Sequence, residues 1–208
     1  IRYYGSNPSN YIYFNCDDYS NQTSETCELW RIIGVFDGKV KIMRNEIIEI
    51  LAWDQDKNID STLTTYDNDW TTSSLQVLLN QKYYNGDTSG TVTYYSNLFG
   101  DTLTSLDMSS IGIKNDATRS IVEEVTWNLA SASAVYSNEI YVDERGTNVY
   151  EGRPTIWIGN IALAYLSDYG YAADFGNCVS NLLDYDSCAS VNWIKNIITN
   201  NGNYSGWL

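Results

Sequence analysis

The chain contains no histidine. That removes the Ser-His-Asp and Cys-His nucleophile systems, the commonest proton carrier near neutral pH, and every zinc site that uses imidazole. Positive charge is scarce as well: 12 Lys and Arg stand against 26 Asp and Glu in 208 residues, a formal charge of −14. Such a surface repels an extended phosphate backbone, so nucleic acid is excluded as a partner. Only two prolines interrupt the chain. No apolar run reaches the roughly 18 residues that a membrane span needs; the longest, Ile156 to Ile158 and Ile161 to Leu166, have the length of strands. Membrane association is therefore expected only through an anchor outside these residues.

What is present is aromatic: 18 Tyr, 7 Trp and 4 Phe in a chain that is 43% hydrophobic, a composition that buries a core and is far from that of a disordered segment. The length suits a single domain over 1–208. The start at Ile1 lacks the basic-then-apolar pattern of a signal peptide. The end, Gly202-Asn203-Tyr204-Ser205-Gly206-Trp207-Leu208, reads as the entrance to another strand. The expectation is an ectodomain that is a fragment of a longer chain.

Four cysteines fall into two local couples, Cys16 with Cys27 and Cys178 with Cys188, neither in the CxxC spacing of a zinc ribbon or thiol-redox site. Two short disulfide loops and an oxidising, extracellular compartment are the reading this favours. Four cysteines allow three connectivities, and four reduced buried thiols are the alternative. Asn21 and Asn203 head N-x-S/T sequons, which matter only in a source that glycosylates.

Along the chain, Tyr11 to Phe14 is a short strand, and Leu29 to Phe36 with Lys39 to Arg44 are two apolar runs around Asp37-Gly38, a type I′ hairpin signal. Leu75, Leu78, Leu79 and Tyr83 share a helical face. Ile121, Val122 and Val125 share a second, after Asn115 or Asp116, and Trp127 ends that helix. Gly86 to Gly112 and the stretch beyond Ala130 read as loops, until a strand region over Thr155 to Leu166. The order predicts an α+β domain: an N-terminal β-hairpin, two surface helices, and a loop-rich second half with mixed or antiparallel sheet.

Several phrases carry a resemblance. They are Ile1-Arg2-Tyr3 with Asn10 to Asn15, Glu28-Leu29-Trp30-Arg31-Ile32-Ile33-Gly34-Val35-Phe36, Lys41 to Asn45, Trp53-Asp54, and Trp70 leading into Leu75 to Asn80. Near the end come Trp157-Ile158-Gly159-Asn160-Ile161-Ala162-Leu163 and Ser167-Asp168-Tyr169-Gly170-Tyr171-Ala172. Together they resemble a family of prepilin-type surface ectodomains of Gram-positive gut bacteria, often carried behind a prepilin-like hydrophobic N-terminal helix. At fold level the element order resembles C-type-lectin-like and formylglycine-generating-enzyme-like domains. The resemblance implies a cell-surface location and supplies no catalytic residue.

Three kinds of site are candidates. Asp54, Asp56, Asn58 and Asp60 place oxygen ligands at alternating positions, with Asp67 and Asp69 nearby, as a hard cation such as Ca2+ requires. Ile59 stands where an EF-hand has its turn glycine and Thr65 where it has its bidentate Glu, so a solvated acidic loop is the competing reading. No other cofactor is implied. Tyr169, Tyr171, Tyr185, Tyr204 and Trp207 lie in polar or Gly-rich stretches and are the candidates for an exposed ligand-binding face, while Trp30, Trp127 and Trp157 are assigned to packing. Paired carboxylates could serve a glycosidase. Glu123 and Glu124 diverge on the expected helix, however, and Asp143 with Glu144 and Asp184 with Asp186 read as solvated loop charge. Cys178 and Cys188 read as a structural bridge and not an active-site thiol pair.

The leading expectation is a non-enzymatic surface or pilus-associated ectodomain that binds a protein or glycan ligand or packs with identical subunits. The alternatives are a secreted carbohydrate-active hydrolase and a ligand-diversified binder on a lectin-like scaffold. Replacing both cysteines of either couple by serine is expected to lower stability by roughly 2–3 kcal/mol, read by denaturant unfolding, and a non-reducing peptide map is expected to give two local bridges.

Overall fold

The computed structural model describes residues 1–53, 69–86, 90–96, 103–176, 178 and 188–200. Its class is α+β, with antiparallel strands throughout the named sheets. The chain gathers into two compact units, each assembled from separated segments: Ile1–Ile47, Ala130–Tyr150 and Leu163–Leu208 form the first, Ile48–Leu129 and Glu151–Ala162 the second. Both cysteine couples are bridged locally, Cys16 to Cys27 and Cys178 to Cys188. That pairing fits an extracellular, disulfide-containing protein. No helix among the described residues is long and apolar enough to cross a membrane.

The first unit is built on a three-stranded sheet in the order β1 (Tyr11–Phe14), β2 (Glu28–Phe36), β3 (Lys39–Arg44). Phe36 pairs with Lys39 across a two-residue turn, in which Asp37 has φ 50° and Gly38 φ 79°. Both central residues are left-handed, as a type I′ turn demands, so the hairpin expected from Asp37-Gly38 is present. A register shift between Ile32 and Gly34 interrupts the β2–β3 ladder, and Ile33 at the bulge is 3% exposed. Ile33 joins Tyr169, Ala172, Trp193, Ile194 and Ile197 in one core cluster. The last three come from α6 (Trp193–Asn200), whose first turn is held by Asn192, its Oδ1 accepting from the N–H of Ile194 (3.0 Å) and Lys195 (3.1 Å).

The N-terminal residues run beside β2. Tyr3 N donates to the Ile33 carbonyl (3.2 Å) and Val35 N to the Ile1 carbonyl (2.8 Å). Gly34 permits this approach, because a Cβ there would lie 2.5 Å from the Ile1 carbonyl oxygen. Arg2 bridges Gly34 on one side and Lys41 pairs with it on the other. Two cations thus occupy one row of the sheet with an empty side-chain position between them. Helices α4 (Ser137–Asp143) and α5 (Leu166–Tyr171) complete this unit.

The second unit holds the helix expected from Leu75, Leu78, Leu79 and Tyr83. It runs as α1 (Ser74–Val77), capped by the Ser73 side chain, and continues as a π-helical segment over Leu78–Tyr83. Gly86 to Gly112, expected to be loop, contains the antiparallel pair β4 (Thr91–Tyr95) and β5 (Leu103–Asp107), followed by the short α2 (Met108–Ile111). The two Thr- and Ser-containing strands alternate, and within them only Tyr94 and Leu106 are buried, so their pattern was too polar to read as strand.

The second expected helix is corrected. Asn115 caps α3 (Asp116–Ile121) as expected, but the helix stops at Ile121; Val125 opens β6 (Val125–Asn128), and Trp127 is a strand residue paired with Trp157 of β7 (Ile156–Gly159). β-branched and aromatic residues follow the strand partner across the ladder instead of continuing a helix. Beyond Ala130 the chain is not all loop, since α4 lies there, and the strand region of Thr155 to Leu166 narrows to Ile156–Gly159, with Leu166 opening α5. Trp193–Asn200 is α6, and Gly202 to Leu208, read as the entrance to another strand, lie outside the described residues. Gly38→Ala is expected to cost about 1–2 kcal/mol, the usual penalty for a Cβ in the left-handed region, whereas Asp37→Gly should leave thermal unfolding nearly unchanged.

Candidate functional site

The site grows from the row of cations on the sheet. Arg2 and Lys41 project from the same face and meet the carboxylate of Asp168, in the first turn of α5. Arg2 Nη1 donates to Asp168 Oδ1 at 3.0 Å, and Lys41 Nζ donates to Asp168 Oδ2. The N–H of Tyr165, which precedes the helix, also donates to Oδ2 at 3.0 Å. A carboxylate at this position also suits the positive end of the helix. The side chain of Asp168 is 1% exposed and that of Lys41 16%, so this is an interior ion pair. Burial pushes the Lys41 ammonium below the usual lysine value; Asp168 and Glu144 oppose that, and Arg2 adds to it.

A second carboxylate lies beside the first. Glu144, just past α4, is 5% exposed, and its two oxygens accept from Ser167 N (2.8 Å) and Ser167 Oγ (2.6 Å). Arg145 Nη1 reaches Glu144 Oε2 at 3.3 Å. Aromatic rings enclose the charges. Arg2 lies over Tyr171 (4.4 Å to the ring centre) and Phe36 (4.7 Å), Lys41 over Tyr165 (4.2 Å), and Arg145 over Tyr141 (3.5 Å). The ring faces supply negative potential where water has been displaced. Three cations against two carboxylates leave this cluster net positive within a strongly acidic chain, and Arg2 Nη2 is buried with no hydrogen-bond partner.

Arg31 forms a different centre farther along β2, on the sheet face it shares with Met43 and Lys41. It is 3% exposed and its acceptors are neutral: Asn10 Oδ1 (2.6 Å), Asn45 Oδ1 (3.4 Å) and the Pro8 carbonyl (3.3 Å). Its guanidinium is stacked between the rings of Tyr11 (3.9 Å) and Trp193 (4.8 Å), and burial lowers its proton affinity. In the second unit, Trp70 packs against Trp53 and Trp157 at 5.6 and 5.8 Å between ring centres.

The residues singled out from the sequence fare differently. Tyr169, expected on an exposed face, is 4% exposed and belongs to the core cluster, because it lies on the side of α5 that faces Ile33 and α6. Tyr171 is half-buried, its ring occupied by Arg2 and set edge-on to Phe175. Tyr185, Tyr204 and Trp207 lie outside the described residues, as do Asp54, Asp56, Asn58 and Asp60. No group of metal-ligating side chains occurs among the described residues. Glu123 and Glu124 are exposed between α3 and β6. Asp143 and Glu144 point to separate partners; backbone hydrogen bonds from Ser133 and Ala134 hold the Asp143 carboxyl below its ordinary value. Asp184 and Asp186 are outside the described residues.

Arg2, Lys41, Asp168 and Glu144 were not found as a group from the sequence, since they are far apart along the chain. The one local signal was charge embedded in apolar or aromatic phrases, as with Asp168 between Leu166 and Tyr169. The chemistry available here is that of a largely buried amine against a fully buried carboxyl, with a guanidinium on the carboxyl oxygen. No known protein family, curated protein or solved structure matches the chain. Glu144→Ala strands the Ser167 N–H and hydroxyl, and is expected to cost about 2–4 kcal/mol in chemical unfolding. Glu144→Gln keeps one acceptor oxygen and should cost less.

Proposed function

We propose that this is an extracellular, surface-carried module that works by contact and not by turnover, and that it associates with identical subunits through the edge of β1 that no strand pairs among the described residues. The observation that carries the reading is the register of that strand. Asn10 and Ile32 stand opposite each other, and Ile32 N donates to the Asn10 carbonyl at 2.8 Å. By antiparallel alternation Ile12 and Phe14 also bond to β2, so the N–H and C=O of Tyr11 and Tyr13 point out from the edge. Tyr11, Ile12 and Tyr13 are 45%, 36% and 37% exposed, and the strand carries no charge. Lysines, prolines or bulges, the usual protection of such an edge, are missing from it.

The edge is self-complementary. If two copies meet antiparallel with Ile12 on the two-fold axis, Tyr11 of one faces Tyr13 of the other, and both outward-pointing sets of backbone groups are satisfied. Leu29, opposite Tyr13 on β2 and 39% exposed, extends the apolar face. Four residues make a small interface. It suits subunits held side by side, where tethering raises the effective concentration to about millimolar. The disulfides, the aromatic edge and the resemblance to prepilin-type surface ectodomains support the same reading.

Ile12→Cys tests it, because a non-bonded antiparallel pair on the axis places the two new thiols within bridging reach. Mild oxidation is expected to give a disulfide-linked dimer, and adding Tyr13→Pro, which removes one outward N–H without touching the β2 ladder, is expected to abolish it. Dimer yield no greater than that of Val40→Cys, on the exposed face of β3, would overturn the proposal.

A further inference from the structure

We infer that the Lys41 amine and the Asp168 carboxyl condense into an intramolecular isopeptide bond that joins β3 covalently to the first turn of α5. The two groups are in direct contact, and they are placed by the sheet register and by the helix start. Neither placement depends on a surface side chain finding its partner. Lys41 lies over the Tyr165 ring, the Arg2 beside it is covered by Phe36 and Tyr171, and the Asp168 side chain is 1% exposed, so most water is displaced from the pair.

The surroundings fit the requirements of amide formation. The amine must lose its proton to become a nucleophile, and burial together with the neighbouring Arg2 charge works in that direction. The carboxyl carbon must be made electrophilic, and the negative charge of the tetrahedral intermediate must be held. Arg2 Nη1 at 3.0 Å from Oδ1 is placed to hold it. The Tyr165 N–H and Lys41 itself both donate to Oδ2, the oxygen that leaves.

The reaction needs no partner outside the pair. A proton passes from Nζ to Oδ2 across their shared hydrogen bond, and the free amine adds to Cγ, leaving charge on Oδ1 against Arg2. A second Nζ proton then moves to Oδ2, which departs as water while the Cγ–Oδ1 double bond reforms. An ammonium and a carboxylate thus become one neutral amide and one water, with no net proton gained or lost. Removing two charges from a dry interior favours the product. The cluster keeps its excess of one positive charge, carried by Arg2 and Arg145 against Glu144.

Intact mass under denaturing conditions decides the matter with the unaltered chain. The expected mass is lower by one water than that of the sequence with its two disulfides, before and after reduction is accounted for, and digestion is expected to yield a branched peptide linking Lys41 to Asp168. Lys41→Arg and Asp168→Ala should each restore the full mass. A full mass in the unaltered chain overturns the inference. So does a loss of water that maps to a single linear peptide or survives Lys41→Arg, since that is a succinimide and not a cross-link.

Discussion

The first unit depends on one carboxylate. Asp168 takes the guanidinium of Arg2, the ammonium of Lys41 and the N–H of Tyr165 at once. These come from the N-terminal segment, from β3 and from the start of α5, so a single side chain ties three separated stretches together. The arrangement is demanding: an interior carboxylate is costly unless its charge and lone pairs are matched. It is matched because Arg2 and Lys41 flank Gly34 in one row of the sheet and each donates to a different oxygen of Asp168. The same glycine lets the N-terminal strand approach closely enough to bring Arg2 there.

Aromatic rings do for the cations what water would do at a surface. Arg2, Lys41, Arg145 and Arg31 each lie against at least one ring face. This gives the tyrosine-rich composition a physical role in the first unit, where Tyr141, Tyr165 and Tyr171 line the charge cluster and Tyr11 covers Arg31. The cost is that these rings are already occupied. Tyr171 has little face left for a ligand, and Tyr169 is in the core. The rings of Tyr11 and Tyr13 on β1, by contrast, remain exposed.

Much of the local structure was legible. The Asp37-Gly38 turn needs two left-handed residues, and few dipeptides supply them so cheaply, so the hairpin could be read directly. The α1 face, the Asn115 cap and the local cysteine couples were legible for the same reason, as each is specified within about a dozen residues. The extent of α3 was not. Val122 and Val125 fit a helical period, but Val125 and Trp127 follow their partners in β7. The β4–β5 hairpin was hidden by its Ser and Thr content, because its stability comes from Tyr94 and Leu106 reaching the interior and not from a continuous apolar face.

The sequence by itself determined the class: an α+β chain, acidic, without histidine chemistry, stapled by short-range disulfides, and rich in rings that must be buried or used. It did so because composition, turn chemistry and short loops act locally. Only the tertiary structure decided that Lys41 would meet Asp168, 127 positions further along the chain. It also decided that Arg2 would share that carboxylate, that Glu144 would close on Ser167, and that Tyr11 and Tyr13 would turn their backbone groups outward. Those outcomes follow from register, bulge position and helix placement. A shift of one residue in any of them sends every side chain involved to another face.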